Sequence, residues 1–236
     1  MINNITGEKL ERTSGLWDKV YDNFDPEKAG RSSVWNEKPT PFFIRYIDWL
    51  KYLGIESFGI IGCGDGRNIR PFLDSGFHVT AIDASNSAIK TCRELYLPND
   101  NLTLIQGLLE NTELNDNSLD ALMCDHVLVH IENINEAFDE FYRIIKPNGF
   151  ALIELTSPLD STFGKGEKVS DNEFMQGDYY LRFDPMEEVY KHMERFKIVT
   201  ITSEYSIDPD HGIGYVRKIN ERHEHHSYFI LARKPK

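Results

Sequence analysis

Apolar residues in the middle of the chain form short blocks, and the segments between these blocks have helical periodicity. The blocks predict five strands, at residues 57–61, 78–82, 102–105, 119–124 and 150–155. Helices are predicted at residues 68–75, 86–95 and 134–145. Alternation of strands and helices is typical of a parallel sheet that is covered by helices on both faces.

The two ends of the chain have a different pattern. Residues 25–41 are rich in proline and glycine and are predicted as loop, and residues 41–50 are predicted as a helix because proline suits a first helical turn. A later helix at 185–193 is followed by β-like runs at 196–202 and 228–232. Two consecutive strands without a helix between them indicate an antiparallel pair at a sheet edge.

The predicted fold class is therefore α/β. It has a doubly wound, mostly parallel seven-stranded sheet, an antiparallel C-terminal hairpin and helices on both faces. The length of 236 residues fits a single domain.

Composition narrows the classes of partner and the cellular compartment. No apolar run reaches the roughly 18 residues that a membrane span needs, and the start of the chain lacks the pattern of a secretory signal. The three cysteines form no Cys-x-x-Cys pair, so reduced thiols in the cytoplasm are expected. The formal net charge of −12 disfavours nucleic acid and favours a small molecule or a protein as the substrate. The composition predicts no particular oligomeric state.

A glycine-rich loop follows the first predicted strand. Glycine at positions 62, 64 and 66 permits positive φ and lets a ligand lie against bare backbone. On its own, this pattern also fits a tight strand-to-helix turn. Asp65 lies inside the loop, where its carboxylate would repel a pyrophosphate and attract an ammonium or sulfonium group.

Asp83 ends the second predicted strand, about 20 residues after the first loop glycine, which is the position of the ribose-binding acid in nucleotide-binding α/β folds. A carboxylate there can accept hydrogen bonds from both hydroxyls of a ribose. Its alternative role is to cap the next helix, but Ser85 can provide that cap.

Four segments resemble, in the same order, the motifs of class I S-adenosylmethionine (SAM)-dependent methyltransferases; they are residues 58–68, 79–85, 120–131 and 143–150. The first contains Gly62-Cys63-Gly64-Asp65-Gly66, and the second contains Asp83. The resemblance covers roughly residues 55–155. It implies a Rossmann-like enzyme that uses SAM as its cofactor and transfers a methyl group to an acceptor.

The resemblance divides the single predicted domain into four parts. Residues 1–50 form an N-terminal arm and helix that act as a lid, and residues 55–155 form the SAM-binding core. Residues 157–184 form an insert on the substrate side, and residues 185–236 form the C-terminal helix and strands.

The resemblance also implies the residues that contact SAM. The loop glycines would pack on the methionine and ribose portions, Asp65 would face the methionine amino group, and Asp83 would bind the ribose. The family often has an aspartate where this chain has Leu108, so adenine recognition must use backbone groups, apolar contacts or Glu110. The expected SAM-binding residues are Gly62, Gly64, Asp65, Gly66, Asp83, Ala84, Leu108, Leu109, Asp125 and Tyr21.

Substrate residues are expected around the transferable methyl group. His126, after the fourth strand, is the candidate catalytic base, and the alternative is a histidine that only packs on the cofactor or on its neighbours. Aromatic residues of the N-terminal arm would close the site, or would anchor the arm as an apolar cluster. The arm, residues 17–41, resembles that of small-molecule methyltransferases of the thiopurine and tellurite-resistance type. The candidate substrate residues are Trp17, Trp35, Tyr180 and Arg182.

Histidines at positions 211, 223, 225 and 226 raise the question of a metal site. Their spacing does not match a structural zinc set, so we predict no metal and favour an exposed polar hairpin or a wall of the substrate pocket.

Two other functions compete with that of a methyltransferase. An NAD-dependent enzyme would place its third glycine one residue later and would not carry Asp65 beside a pyrophosphate. A non-catalytic protein that binds SAM or a partner would have the same motifs.

Overall fold

The computed structural model describes residues 2–29, 32–35, 37–208 and 223–236. They form two compact units, an N-terminal unit that ends at Glu113 and a C-terminal unit that begins at Leu114. The helices of the N-terminal unit are α1 (Ile2–Asp22), α2 (Pro26–Ala29), α3 (Pro41–Ile44), α4 (Ile47–Tyr52), α5 (Ile69–Asp74) and α6 (Asn86–Tyr96). Those of the C-terminal unit are a short 3-10 helix (Leu128–His130), α7 (Ile134–Ile144) and α8 (Met186–His192).

Seven strands form the sheet that the sequence predicts. They are β1 (Ser57–Ile61), β2 (His78–Asp83), β3 (Leu102–Gln106), β4 (Leu119–Cys124), β5 (Ile145–Thr156), β9 (Lys197–Asp208) and β10 (His223–Arg233). In the N-terminal unit, β2 pairs in parallel with both β1 and β3. In the C-terminal unit, β5 is parallel to β4, and β10 is antiparallel to both β5 and β9. The predicted fold class, mostly parallel with an antiparallel C-terminal pair, is confirmed.

Each unit has an apolar interior that follows from the sequence pattern. In the N-terminal unit, Phe58 of β1 stacks on Phe72 of α5 with ring centroids 4.1 Å apart, and both side chains are fully buried. In the C-terminal unit, α7 buries Phe138, Phe141 and Ile144 on one face, as expected for helical periodicity. Burial of such side chains contributes about 1.5–3 kcal/mol each.

The N-terminal arm differs from the prediction because most of it is helical. Helix α1 was not predicted, since its polar sequence has no continuous apolar stripe. The predicted helix at 41–50 is interrupted, because the amide of Tyr46 bonds the carbonyl of Phe43 in a tighter turn before α4 begins.

The C-terminal unit contains a second sheet that the sequence pattern did not indicate. Three short antiparallel strands lie within the predicted insert: β6 (Glu167–Ser170), β7 (Glu173–Gln176) and β8 (Tyr179–Arg182). Phe174 of β7 and Leu181 of β8 form a small apolar cluster with Phe183, which follows β8. In addition, β10 begins at His223 rather than near Tyr228, because its polar first half pairs with β9.

No helix in the described ranges is long and apolar enough to cross a membrane.

Candidate functional site

The glycine loop of the N-terminal unit is held by the end of β2. The amides of Gly62 and Cys63 both donate to the carbonyl of Ile82, at 2.8 and 2.9 Å. Gly64 has a φ of +55°, and a Cβ added there would lie 3.0 Å from the hydroxyl oxygen of Tyr21. A side chain at this position would therefore be strained and would fill the space over the backbone.

Asp83 is bound to the same loop. Its Oδ2 accepts a hydrogen bond from the amide of Gly64 at 2.8 Å, and its Oδ1 accepts one from the amide of Ser85 at 2.9 Å. Burial raises the pKa of Asp83 to about 6, and the two backbone hydrogen bonds oppose this shift only in part. The hydroxyl of Ser85 caps α6 through the amide of Ala88, so Asp83 is not required as a cap.

Each carboxylate oxygen can accept a second hydrogen bond. With one backbone donor recorded on each oxygen, Asp83 has the capacity to accept two ligand hydroxyls. The raised pKa of Asp83 supports the same conclusion. Burial disfavours the charged carboxylate, and further hydrogen-bond donors from a ligand would stabilise it.

Asp65, inside the same loop, contacts the N-terminal arm. Its Oδ2 accepts hydrogen bonds from the hydroxyl of Ser33 at 2.7 Å and from the amide of Val34 at 2.8 Å. The sequence-based prediction gave Asp65 a ligand as its partner and did not foresee this contact. The carboxylate therefore fastens the arm to the loop.

Three aromatic side chains of the arm lie together beside the loop. The indole Nε1 of Trp35 donates to the hydroxyl of Tyr21 at 3.0 Å, and the rings of Trp17 and Trp35 meet edge to face at 6.2 Å. Burial and the charges of Asp83 and Asp65 raise the pKa of Tyr21 well above its ordinary value. Tyr21 is thus a neutral hydroxyl next to both carboxylates.

Helix α1 supplies a contact that the sequence analysis missed. Asp18 Oδ1 accepts hydrogen bonds from the hydroxyl of Ser85 at 2.6 Å and from the amide of Ser87 at 3.0 Å. Burial raises the pKa of Asp18, but hydrogen bonds from Ser85, Ser87 and Ser14 outweigh it and lower the pKa overall. The only signal in the sequence was the helical spacing of Ser14, Asp18 and Tyr21.

The segment after β3 is apolar where the adenine was expected. Leu108 and Leu109 are buried, and Glu110 forms an ion pair with Lys9 at 3.1 Å. Of the options for adenine recognition, Glu110 is therefore already engaged. The carbonyl of Ala84 accepts a hydrogen bond from the side chain of Gln106 at 3.2 Å.

The C-terminal unit carries an acid–histidine cluster, which we define as His126, Glu154, Asp160 and His225. The backbone amide of His126, with a φ of +55°, donates to Glu154 Oε2 at 3.1 Å. The His126 ring lies 3.7 Å from Glu154 and 3.8 Å from Asp125. Its centroid is 5.9 Å from that of His225.

The carboxylate of Asp160 links this cluster to strand β10. Its Oδ2 lies 2.8 Å from Nδ1 of His225 and accepts a hydrogen bond from the amide of His226 at 3.2 Å. The side chain of His226 is buried, with its ring nitrogens bonded to the hydroxyls of Ser157 and Ser203. Burial lowers the pKa of His226.

The expectation of an exposed polar hairpin is therefore wrong for His226, which pairing with β9 and the hydrogen bonds of its ring keep buried, whereas His225 is partly exposed. The alternative, a wall of the substrate pocket, stays a prediction. His211 lies outside the described residues. Among the side chains that the structure describes, no group of three or more His, Cys, Asp or Glu residues has a geometry that could hold a metal ion.

Tyr180 and Arg182 of β8 belong to the same unit. The backbone carbonyl of Tyr180 is 2.9 Å from Nδ1 of His130. The guanidinium of Arg182 is paired with the buried carboxylate of Asp184 at 2.9 Å, so its charge is already neutralised. Their assignment to the substrate stays a prediction.

Part of the chain is similar to a known protein family. Residues 60–153 match the family model described as a methyltransferase domain. The matched segment includes the glycine loop and Asp83. SAM is the cofactor of the class I methyltransferases that this segment resembles, and the donor set around the glycine loop fits SAM. Asp83 has acceptor capacity for a ribose, Gly64 leaves bare backbone, and two carboxylates favour a cationic ligand.

The curated relatives of this chain include a ubiquinone biosynthesis O-methyltransferase of Rickettsia typhi. It is 32% identical over 149 residues, which are 61% of this chain and 57% of that protein. The chain thus spans little more than half the length of the relative that it matches.

Solved structures show the same fold at low identity. A SAM-dependent methyltransferase of Methanosarcina mazei has a TM-score of 0.66 at 14% identity, covering 84% of this chain and 99% of that one. The 1,6-didemethyltoxoflavin-N1-methyltransferase of Burkholderia thailandensis, solved with S-adenosylhomocysteine, has a TM-score of 0.55 at 15% identity. It covers 82% of this chain and 78% of that one.

Proposed function

We propose that this protein transfers the methyl group of SAM to an oxygen atom of a small hydroxylated molecule. The observation that carries SAM use is the Asp83 carboxylate, which is bonded to the glycine loop and retains acceptor capacity on both oxygens. The relatives' name, ubiquinone biosynthesis O-methyltransferase, favours oxygen as the accepting atom. The acidic net charge of −12 supports a small molecule over a nucleic acid.

We assign the cofactor to the N-terminal unit. Asp83 would accept hydrogen bonds from the ribose hydroxyls beside Ala84, and Tyr21 would cover the loop. The carboxylate of Asp65 would attract the methionine ammonium through the oxygen that does not bind the arm. The remaining assigned contacts are Gly62, Gly64 and Gly66 with the methionine and ribose, and Leu108 and Leu109 with the adenine. The assignment of Asp125 to the methionine end stays a prediction from the sequence.

When bound, SAM supplies an electrophilic methyl group. The protein must then orient the acceptor in line with that group and exclude water. A hydroxyl acceptor must also lose a proton, which requires a base near the methyl group. His126, directly after β4, lies at the carboxyl end of a strand, where open α/β sheets bind ligands.

The three cysteines are free and buried, which supports a cytoplasmic enzyme.

Calorimetry with S-adenosylhomocysteine and with NAD tests the cofactor assignment. We expect S-adenosylhomocysteine to bind and NAD not to bind. Binding of NAD alone would overturn the proposal. A panel of catechols, amines and thiols, followed by release of S-adenosylhomocysteine, then tests the acceptor. We expect transfer to the catechols, and transfer only to amines or thiols would overturn the assignment to oxygen.

A further inference from the structure

The side chain of Gln106, the last residue of β3, is held by two contacts of its nitrogen. Nε2 donates to the backbone carbonyl of Ala84 at 3.2 Å and to the hydroxyl oxygen of Ser14 at 3.2 Å. Ala84 directly follows Asp83 of β2, and Ser14 belongs to α1. All four residues lie in the N-terminal unit. The carboxamide is therefore held between a loop and a helix of that unit.

These contacts determine which way the carboxamide of Gln106 faces. A backbone carbonyl only accepts hydrogen bonds, so the atom that faces Ala84 must be the nitrogen. The oxygen, Oε1, is then left for a different donor. Within the part of the chain that the structure describes, no group donates to this oxygen. Because Gln106 is also exposed, a ligand can reach it.

Gln106 lies beside the carboxylate that we assign to the ribose. In the parallel pairing of β2 with β3, it is the register partner of Asp83. Neighbouring strands are about 4.8 Å apart, so both side chains start from adjacent points at the carboxyl edge of the sheet. The base of a nucleoside is attached directly to its ribose. A ribose bound to Asp83 therefore brings its base close to position 106.

The segment after Gln106 supplies an apolar surface for that base. Leu108 and Leu109 are buried, and Glu110 is paired with Lys9 at 3.1 Å. A purine can pack on such a surface, but the leucine side chains have no polar atoms and cannot distinguish one purine from another. The acceptor atom of Gln106, two positions before Leu108, can make this distinction because it binds only a donor.

We propose that Gln106 selects adenine, and that its Oε1 accepts a hydrogen bond from the exocyclic amino group of the SAM base. The inference rests on the proposed function, because it requires that a nucleoside binds through Asp83. Adenine has a donor on C6, whereas hypoxanthine has a carbonyl oxygen there. That oxygen and Oε1 would be two acceptors facing each other. The amide cannot turn over to avoid this, because Oε1 would then face the carbonyl of Ala84.

Three ligands that differ at C6 of the purine test this inference. They are S-adenosylhomocysteine, its 6-oxo analogue S-inosylhomocysteine, and its analogue with an unsubstituted purine. Calorimetry at pH 7.5 measures their affinities for the wild type. We expect S-adenosylhomocysteine to bind about tenfold more tightly than the purine analogue, which lacks one hydrogen bond. It should bind about 100-fold more tightly than S-inosylhomocysteine, which also opposes two acceptors.

The variant Q106L removes the acceptor and retains an aliphatic side chain. We expect it to bind S-adenosylhomocysteine about tenfold more weakly than the wild type does. Its affinities for the three ligands should lie within about threefold of one another. The matched control is T103V, because Thr103 is another exposed polar residue of β3. T103V should keep all three wild-type affinities, and circular dichroism should show that both variants are folded.

The outcomes separate this inference from the proposed function. Failure of the wild type to bind S-adenosylhomocysteine refutes the proposed function itself. Binding of S-adenosylhomocysteine without a preference over S-inosylhomocysteine refutes the selection of adenine alone, and this result needs no variant.

Two further results overturn the role of Gln106. A full preference that Q106L retains assigns the selection to other groups, such as backbone amides after β3. An equal loss of affinity for all three ligands in Q106L means that Gln106 only holds α1 and the Ala84 loop in place.

Discussion

Two carboxylates, the partly buried Asp83 of the N-terminal unit and the buried Asp160 of the C-terminal unit, have pKa values that shift in opposite directions. Asp83 has two backbone donors, and burial raises its pKa to about 6. Asp160 has four donors, and its pKa is lowered. The number and charge of the donors therefore decide whether burial dominates.

This difference distinguishes the Asp83 carboxylate, which can accept hydrogen bonds from a ligand, from the Asp160 carboxylate, whose oxygens already accept hydrogen bonds from the protein. Asp83 gains when further donors reach its oxygens, as the hydroxyls of a ribose would. Asp160 already has four hydrogen-bond donors within the protein, and one of them is the ring of His225. The raised pKa thus marks Asp83 as the carboxylate that further donors would stabilise.

The largest expected effect is on ligand binding by D83N. The amide keeps one acceptor and turns a donor towards backbone amides, so we expect S-adenosylhomocysteine to bind about 100-fold more weakly. Calorimetry at pH 7.5 measures this. D74N, at an exposed aspartate of α5, is the control and should bind as the wild type does. Wild-type affinity in D83N would remove Asp83 from the site.

The second largest expected effect is a difference in stability between the D160N and D83N variants. At pH 7.5, D160N leaves several buried hydrogen-bond donors without an acceptor. We expect it to lower the free energy of unfolding by about 1–3 kcal/mol. D83N should lower the free energy of unfolding by less than D160N does, because it also removes a charge that burial disfavours. Urea unfolding of both variants measures the difference. A larger loss in D83N than in D160N would contradict the comparison.

The pH dependence of these losses has a definite sign. The pKa of Asp160 is below its unfolded value, so its stabilisation is present above about pH 4 and disappears as the pH falls through the folded pKa. The pKa of Asp83 is above its unfolded value. The wild type should therefore gain stability relative to D83N as the pH falls from about 6 to about 4.

The smallest expected effect is the pH dependence of cofactor binding in the wild type. Below its pKa of about 6, Asp83 becomes protonated and loses part of its acceptor capacity. The affinity for S-adenosylhomocysteine should fall below pH 6, approaching about tenfold per pH unit, and should be constant between pH 7 and 8. Titrations at pH 5, 6 and 7.5 test this. An equal decline in D83N would assign the effect to another group.

The sequence predicted the part of the molecule that depends on local signals. Strands β1 to β5 follow from apolar blocks, and Asp83 follows from its place at the end of one of them. Gly62 and Gly64 could be recognised because their positive φ requires glycine, whatever surrounds them.

The rest depends on contacts between distant residues. His225 and Asp160 are 65 positions apart, and the polar start of β10 has no alternating pattern that predicts a strand. Helix α1 is stabilised by hydrogen bonds that Ser85 and Ser87 donate to Asp18. The polar sequence of the helix gives no signal of these contacts. Strand and helix propensities are overridden in both cases by tertiary contacts.

The hydrogen bond from Trp35 to Tyr21, beside Gly64, also has an optical consequence. Two of the three tryptophans, Trp17 and Trp35, meet at the glycine loop, whereas Trp49 lies on α4. Indole emission depends on the polarity and hydrogen bonding around the ring. The protein thus contains an intrinsic fluorescent reporter of events at this loop, and no label is needed to follow them.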